Sequence, residues 1–372
     1  MPVERCDALP NDRPATSRTG HGPRLEVDLA ALAANWRTLA SEAAQAVCSA
    51  VVKADAYGLG LEPCARALLK AGCRTFFVAH LDEGLALRRI AGPVPEIFVL
   101  NGFLGERRED YCAGALVPVL NTAGEARAWA EAPPLAAALQ VETGMNRLGL
   151  ARDEARAFLA ALPAEAAMRV TLLMSHLACA DEPAHPQNAA QRARLAGLGD
   201  VLPHARRSLA NSGGIVLGPA FHFDLVRPGI ALYGGAAGAR GALRTVARLH
   251  ARVLQVKEVP PGEGVGYGAT SRADGPRRIA TVSAGYADGI LRSLSGCGVA
   301  HVGGILAPYA GRVSMDSLAL DISSAEPDAV REGDEAELFG DAVSVDALAA
   351  RAGTISYELL ARLGGRLLKV YK

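Results

Sequence analysis

The apolar positions of the chain form short continuous runs that alternate with segments of helical composition. Runs of this kind, rich in Val, Leu, Ile and Phe, are typical of strands buried on both faces, as in a parallel sheet. Eight of them follow one another: Val47–Lys53, Arg74–His80, Pro95–Leu100, Leu116–Leu120, Leu135–Glu142, Met168–His176, Arg207–Asn211 and Phe223–Leu232. Segments whose Ala, Leu, Arg and Glu content favours helix lie between them: Glu62–Ala71, Asp82–Ala91, Thr122–Glu131, Arg152–Leu162 and Gln187–Leu202.

This alternation predicts an α/β fold, a (β/α)8 barrel of the TIM type. An open doubly wound sheet is the alternative, and an extra strand at Arg24–Val27 would bring the count to nine. Asp28 and Asp153 stand where they could cap helices, because a carboxylate can accept the free N–H groups of a first turn.

The pattern changes after about residue 243, where strands are separated by Gly, Pro and Asp turns. The predicted strands are Arg244–Val259, Arg278–Ala284, Gly298–Leu306, Asp316–Ile322 and Asp334–Phe339, and only Val345–Arg351 and Tyr357–Arg362 have helical patterns. We therefore expect a disordered tail over residues 1–23, a barrel over 24–243 and a mostly β domain over 244–372.

Net charge, hydropathy and cysteine spacing limit the partners and the cellular compartment that we expect for this protein. The 372 residues contain 39 Lys and Arg and 39 Asp and Glu, so the net charge is zero, which argues against a nucleic-acid or anionic membrane partner. No apolar run reaches the ~18 residues of a membrane helix, and the first 23 residues lack the apolar stretch of a secretory signal. The seven cysteines show no C-x-x-C spacing, so we expect a reducing compartment, the cytoplasm.

Polar residues cluster at the predicted carboxyl ends of the barrel strands, where barrel enzymes carry their chemistry. Lys53 ends the first strand, Arg147 follows the fifth and His176 ends the sixth. A Ser-Gly-Gly loop follows Asn211 at the seventh end, and Arg227 lies in the eighth run. We expect these side chains to share one rim.

The residue types at this rim predict a phosphorylated cofactor. Lys53 is a candidate Schiff-base amine, and Tyr57, one helical turn later, could donate to a phosphate. Glycines in the loops Ser212–Gly214 and Arg227–Ile230 let backbone N–H groups approach an anion. The histidines show no metal-ligand spacing, so we expect no metal. The combination suggests pyridoxal 5′-phosphate, although a sugar-phosphate aldolase also combines a lysine with a phosphate loop.

Ordered motifs along nearly the whole chain from about residue 24 resemble those of the alanine racemase family. In the barrel they are VVKADAYG (51–58), ETGMNRLG (142–149), SHLACAD (175–181), ANSGG (210–214) and VRPGI (226–230). In the second domain they are VGYGAT (265–270), GYADG (285–289), GRVSMD (311–316) and ISYE (355–358).

The resemblance implies a homodimeric pyridoxal-phosphate enzyme that interconverts L- and D-alanine, with active sites shared between subunits. Lys53 would hold the cofactor and act as base on one face of the substrate, and Tyr267 of the second subunit would act on the other. The resemblance also implies roles for a larger set. Arg227 would bond the pyridine nitrogen, with His176 linking it towards Tyr267; Tyr57, Asn211, Ser212, Gly229, Ile230 and Tyr357 would bind the cofactor; Arg147 and the backbone N–H of Met315 would meet the substrate carboxylate; Asp181, Tyr286 and Arg292 would line the access corridor.

One position departs from the family pattern. Many members carry a carbamylated lysine seven residues before the substrate arginine, and this chain has Gln140 there. We predict that the Gln140 amide hydrogen-bonds Arg147, more weakly than a carbamate would, because it carries no charge.

Three other functions stay open at this stage. A racemase of serine or of broad specificity differs only in its pocket walls. A fold-related decarboxylase of basic amino acids would need an acidic partner at the ring nitrogen, where this chain has Arg227. A non-catalytic carrier of the cofactor would lack the β domain. The cellular role also stays open between a biosynthetic one, supplying D-alanine for peptidoglycan, and a catabolic one.

Overall fold

A computed structural model describes residues 22–43, 45–103, 108–131, 135–167, 169–236 and 243–372. The predicted tail 1–23 therefore lies almost entirely outside the described residues. The first half of the protein is a ring of short parallel strands. They are β2 (Val47–Cys48), β3 (Ala50–Val51), β4 (Thr75–Val78), β5 (Glu96–Val99), β6 (Val117–Leu120), β7 (Ala137–Gln140), β8 (Val170–Met174), β9 (Arg206–Ser208) and β10 (Leu225–Val226).

The parallel strands close into a barrel. Strands β3 to β9 pair in sequence order, and β10 pairs with β2, which is continuous with β3 apart from Ser49. A parallel bridge between Asn211 and Arg227 joins the chain after β9 to the chain after β10. The predicted barrel is thereby confirmed, and the open-sheet alternative is wrong.

Helices connect the strands on the outside of the barrel. They are α1 (Leu29–Glu42), α2 (Lys53–Tyr57), α3 (Leu61–Ala71), α4 (Leu81–Ala91), α5 (Arg108–Ala113), α6 (Ala123–Ala130), α7 (Arg152–Ala161), α8 (Ala164–Ala167), α9 (Pro186–Ala196) and α10 (Ser212–Val216). Asp28 caps α1 as predicted, since its carboxylate accepts the N–H of Ala31 at 2.7 Å. The cap predicted at Asp153 is wrong: Ala151 holds that position, and Asp153 lies in the first turn.

The second half is mostly β, as predicted. It contains β11 (Ala247–Val259), β12 (Arg277–Val282), β13 (Val299–Val302), β14 (Ile305–Pro308), β15 (Leu318–Asp321), β16 (Glu335–Phe339), α11 (Val345–Arg351), α12 (Ser356–Ala361) and β17 (Leu368–Tyr371). The sequence analysis does not predict β17.

Strand β1 (Arg24–Val27) is not a ninth barrel strand. It pairs antiparallel with β11 and parallel with β17, so it lies inside the sheet of the second half. The assignment of this segment to the barrel is wrong. A four-residue apolar run predicts that a strand is buried, but it does not predict which strand it pairs with. The division of the chain at residue 243 stays a prediction.

Several predicted strands are shorter in the structure. The run Phe223–Leu232 contains only the two residues of β10, and Ile230–Tyr233 forms a 3₁₀ turn. The core that these elements share is continuous and includes the stacked rings of Phe77 and Phe98, whose centroids are 4.8 Å apart. Over the ranges described, no helix has the length and apolar character that crossing a bilayer requires.

Candidate active site

A cavity of about 270 Å³ opens where the barrel strands end. It brings together four of the predicted site residues, namely Lys53, Arg147, His176 and Arg227. Four basic side chains therefore face one space, and among the described residues lining it Glu142 alone carries a carboxylate. This excess of positive charge, in a chain of zero net charge, favours an anionic ligand.

Lys53 begins α2, two residues after β3. Burial and the nearby Arg147 lower the pKa of its amine, and Glu83 opposes them. A lysine whose pKa is lowered has a larger neutral fraction at working pH, which suits it to covalent attachment and to proton abstraction.

The backbone after Lys53 is left-handed rather than an ordinary helical turn. Four consecutive non-glycine residues, Ala54 to Tyr57, have φ between 54° and 57°. Such a conformation costs roughly 1–2 kcal/mol per residue, so surrounding contacts must hold it. The predicted right-handed turn, with Tyr57 on the same side as Lys53, is therefore wrong.

Two carboxylates hold this turn. Glu83 accepts the N–H of Ala54 at 2.7 Å through one oxygen, and through the other it accepts the N–H of Ala79 at 2.7 Å. Asp55 accepts the N–H of Leu61 at 2.7 Å and pairs at 2.9 Å with Lys369 of β17. The segment next to Lys53 is thus tied both to the loop after β4 and to the second half of the chain.

Arg227 is almost fully buried, and its guanidinium contacts only neutral groups. It donates to the Ser208 hydroxyl and, at 2.5 Å, to the carbonyl oxygen of Ser175. Burial lowers the pKa of Arg227 to about 9. None of the described carboxylates pairs with it, so a further acceptor in the cavity would be a favourable partner.

His176 lies beside Arg227, with Nδ1 3.4 Å from a guanidinium nitrogen. Its Nε2 lies 3.5 Å from the side-chain nitrogen of Asn211. Burial, followed by the charges of Arg227, Arg147 and Lys53, lowers the pKa of His176 to about 3. The ring is therefore neutral across the physiological range.

The residues predicted to bind the cofactor phosphate meet between the barrel and α12. The Ser212 hydroxyl accepts the N–H of Gly229 at 2.9 Å, and the ring of Tyr57 lies 6.0 Å from that of Tyr357. A Cβ on Gly229 would overlap the Tyr57 hydroxyl, so only glycine fits there. Burial, aided by the charges of acidic residues, raises the pKa of Tyr357.

A second cavity of about 510 Å³ adjoins the first and shares Met145 and His176 with it. Its walls include predicted residues from both halves of the chain: Asp181, Asn211, Gly213 and Tyr357. Ile230 is buried next to this region, and its neighbour Ala231 donates its N–H to Ser212 at 3.3 Å.

Gln140 lines the first cavity together with Arg147, but no hydrogen bond joins the two side chains in the described structure. The predicted contact is wrong. Gln140 is the last residue of β7, and its side chain packs against Gly149. A Cβ on Gly149 would lie only 2.9 Å from the Cγ of Gln140. Arg147 is exposed, and six loop residues separate it from Gln140.

Tyr267, Met315, Tyr286 and Arg292 stand apart from these cavities. None is among the residues that line them. The side chain of Tyr267 is 71% exposed and that of Met315 is 53% exposed. The N–H of Ala287, next to Tyr286, bonds the carbonyl oxygen of Met315, so these two loops adjoin. Within one chain, the second predicted base is not brought to Lys53.

Sequence reasoning missed three polar residues around the first cavity. Asn101 and Asn121 line it after β5 and β6, and Glu83 holds the turn beside it. The strand-end position of the two asparagines is a signal that the sequence contains. The role of Glu83 depends on the left-handed turn, for which the sequence contains no signal.

Comparison with known proteins places the chain in a family. The profile of the alanine racemase N-terminal domain matches residues 27–237, and that of the C-terminal domain matches residues 246–371. The chain belongs to the alanine racemase family. It is 48% identical to an alanine racemase of Methylobacterium nodulans over 94% of this chain and 96% of that one. It is 45% identical to a catabolic alanine racemase of Mesorhizobium japonicum over 95% and 94%.

Solved alanine racemases share the fold. The enzyme of Bartonella henselae, with covalently bound pyridoxal phosphate, superposes with a TM-score of 0.89 at 37% identity over 94% of this chain and 99% of that one. The biosynthetic alanine racemase of Pseudomonas aeruginosa gives 0.89 at 39% identity, with the same coverage. The alanine racemase family depends on pyridoxal phosphate.

Proposed function

We propose that this protein is an alanine racemase that uses pyridoxal 5′-phosphate to interconvert L- and D-alanine. The observation that carries the proposal is a lysine of lowered pKa that shares one cavity with a buried arginine lacking a carboxylate partner. A decarboxylase would need an acidic group at the position of Arg227, and a carrier would need no β domain.

The residues present fit the cofactor. Lys53 supplies an amine, and Arg227 supplies an unneutralised donor for the pyridine nitrogen. Tyr57, Ser212, Gly229, Ile230 and Tyr357 would hold the phosphate, where the space at Gly229 excludes any larger residue, and Asn211 would also bind the cofactor. When bound, the cofactor supplies the electron-withdrawing system that weakens the Cα–H bond of an attached amino acid.

Racemisation needs one proton removed from Cα on one face and one returned on the other. On its face, the neutral Lys53 amine would take the proton, and its ammonium form would give one back. On the opposite face, the Tyr267 phenolate would take the proton, and its phenol form would give one. A free lysine has a pKa of ~10, and burial lowers the pKa of Lys53 towards working pH.

The substrate carboxylate would meet the exposed guanidinium of Arg147 and the backbone N–H of Met315. Asp181, Tyr286 and Arg292 would line the corridor through which alanine reaches the cavity. Arg227 keeps its proton even at its lowered pKa, so it would bond the ring nitrogen without protonating it and limit side reactions.

The proposed enzyme is a homodimer in which each site takes Tyr267 and Met315 from the other subunit. Large exposed side chains on these loops support this arrangement. We also propose a cytoplasmic location, which is supported by the free thiols of the six cysteines in the described ranges.

The test measures two things: proton exchange and inversion at Cα of alanine, and the residue to which the cofactor is attached. In deuterated water, the purified holoenzyme should exchange the Cα proton of L-alanine while the optical rotation decays to zero. Borohydride reduction followed by peptide mapping should place the cofactor on Lys53. Release of carbon dioxide, exchange without loss of rotation, or a label on another lysine would overturn the proposal.

A further inference from the structure

The loop that carries Arg147 is anchored to the barrel at its ends and through Thr143, whose hydroxyl lies 2.6 Å from that of Ser175 after β8. It leaves after β7, and the N–H of Glu142 bonds the carbonyl oxygen of Leu150 at 2.8 Å where it returns. Inside the loop, the Glu142 carboxylate accepts the N–H of Met145 at 2.7 Å. These contacts fix the shape of the loop, and further contacts reach it from a neighbouring helix.

Helix α9 supplies those contacts from one face. Gln187 donates its amide to the carbonyl oxygen of Gly144 at 2.6 Å, and Arg194 donates to that of Thr143 at 2.7 Å. Between them, Gln191 donates to the Thr143 hydroxyl at 3.2 Å. Residues at 187, 191 and 194 share a helix face because their spacing follows the helical repeat.

Gln191 alone of these three also holds the loop that carries His176. Its side chain is completely buried. Its oxygen accepts the N–H of Ala178 at 2.9 Å, and its nitrogen donates to the carbonyl oxygen of His176 at 2.8 Å. One amide thus joins the loop after β7 to the loop after β8. Such a buried amide resists displacement, because moving either loop would leave a buried polar group without a hydrogen-bond partner, which costs free energy.

The fit between α9 and the loop leaves no free space. Gly144 has φ of +138°, and a Cβ there would overlap the Gln187 amide and lie 2.8 Å from an Arg194 nitrogen. The helix side chains therefore rest directly on the loop backbone.

We propose that Gln191 is a positioning residue that sets Arg147 relative to His176 and thereby sets the affinity for the substrate carboxylate. Gln191 is not among the residues that line either cavity, so it acts through the two loops. The inference rests on the proposed function, because only there is Arg147 assigned to the carboxylate.

The test compares substrate affinity with turnover in holoenzyme variants. Gln191→Met keeps the length of the side chain and removes all three hydrogen bonds. We expect KM for alanine to rise about tenfold while kcat stays within about threefold, because binding rather than chemistry is loosened. The Kd of propionate, which is alanine without its amino group, should rise by the same factor in a spectroscopic titration of the bound cofactor.

A matched control comes from the same helix. Asn188 is also buried and donates to the carbonyl oxygens of Cys179 and Glu182 at 2.9 and 3.0 Å, but it does not contact the Arg147 loop. Asn188→Leu should lower the melting temperature comparably while KM and the propionate Kd stay within about twofold. An equal rise in KM for this variant would reduce Gln191 to an ordinary structural residue and overturn the proposal.

Thr143→Val decides the matter if Gln191→Met does not fold. It preserves shape, leaves Gln191 intact and removes the Thr143 hydroxyl, which bonds both Gln191 and the Ser175 hydroxyl, so the propionate Kd should rise in the same direction. An unchanged Kd overturns the inference. If the wild-type protein binds propionate but does not racemise alanine, the proposed function fails while the propionate series still decides the role of Gln191.

Discussion

At the scale of single residues, this site is dominated by groups whose charge state is set by burial. Arg227 keeps its charge away from any described carboxylate, and His176 beside it is held neutral. Placing a neutral imidazole against a buried guanidinium avoids a second buried charge, which would be costly. His176 therefore lies between Asn211 and Arg227 and can orient both side chains without changing its charge at working pH.

A pH prediction follows from His176. Its pKa falls from an ordinary ~6.5 in the unfolded chain to about 3 in the folded protein, so below pH 6.5 the unfolded chain binds a proton that the folded one does not. The contribution to stability is complete above pH 6.5 and is lost as pH falls towards 3. Between pH 7.5 and 5.0 the wild type should lose about 2 kcal/mol more stability than His176→Gln.

Urea unfolding of the cofactor-free proteins at the two pH values measures this difference. The other histidines contribute equally to both proteins and cancel. Equal losses for wild type and variant would show that His176 titrates normally in the folded state.

At the scale of elements, the left-handed turn after Lys53 is the feature that separates this structure from its sequence. Ala54 and Ala56 belong to the best right-handed helix formers, and no glycine marks the turn before Gly58. Backbone N–H groups that donate to the carboxylates of Glu83 and Asp55 override the local preference for a right-handed helix. The result points the Lys53 side chain into the cavity from a backbone that cannot relax into an ordinary helix.

Glycine substitution tests this strain. Ala54→Gly should stabilise the protein by up to about 1 kcal/mol, because glycine adopts positive φ without steric cost. The matched control is Ala157→Gly, at an exposed position inside the right-handed helix α7, which should destabilise by about 1 kcal/mol. Free energies of unfolding from urea titration provide the comparison, and a loss for Ala54→Gly equal to that of the control would contradict the left-handed turn.

The sequence predicted the elements better than their partners. Buried apolar runs located the barrel strands, and strand ends located Lys53, Arg147, His176 and Arg227 at one rim. The partners of β1 and the missing bond from Gln140 to Arg147 depend on tertiary placement, which no local pattern records. Contacts made by Glu83 and Gln191 likewise join segments that are close only after folding.

At the scale of the whole molecule, the proposed second base does not line the cavity of its own chain. Tyr267 projects into solvent, between glycines whose φ is 72°, while Lys53 faces a cavity inside the barrel. Large exposed aromatic side chains can mark interaction sites. In the proposed two-fold dimer each Tyr267 would enter the other subunit's cavity, and a two-fold interface makes this contact twice.

Coexpression of two inactive chains tests shared sites. Lys53→Ala and Tyr267→Ala chains should each be inactive as homodimers. In hybrids, one of the two sites receives an intact Lys53 and an intact Tyr267, so random assembly should restore about a quarter of wild-type activity. Separately purified and unmixed variants are the control, and activity no higher than theirs would show that each site is built from one chain.

The pairing of β1 also constrains the order in which the protein can be made. Val27 lies between β11 and β17, so a strand that leaves the ribosome early waits for Ala247 and then for Tyr371 before both of its edges are covered. The barrel between them can fold as a unit while this strand is still unpaired. Assembly of the sheet that carries Tyr267 therefore follows synthesis of the barrel, and an unpaired β1 is exposed to chaperones and to aggregation until β11 has been made.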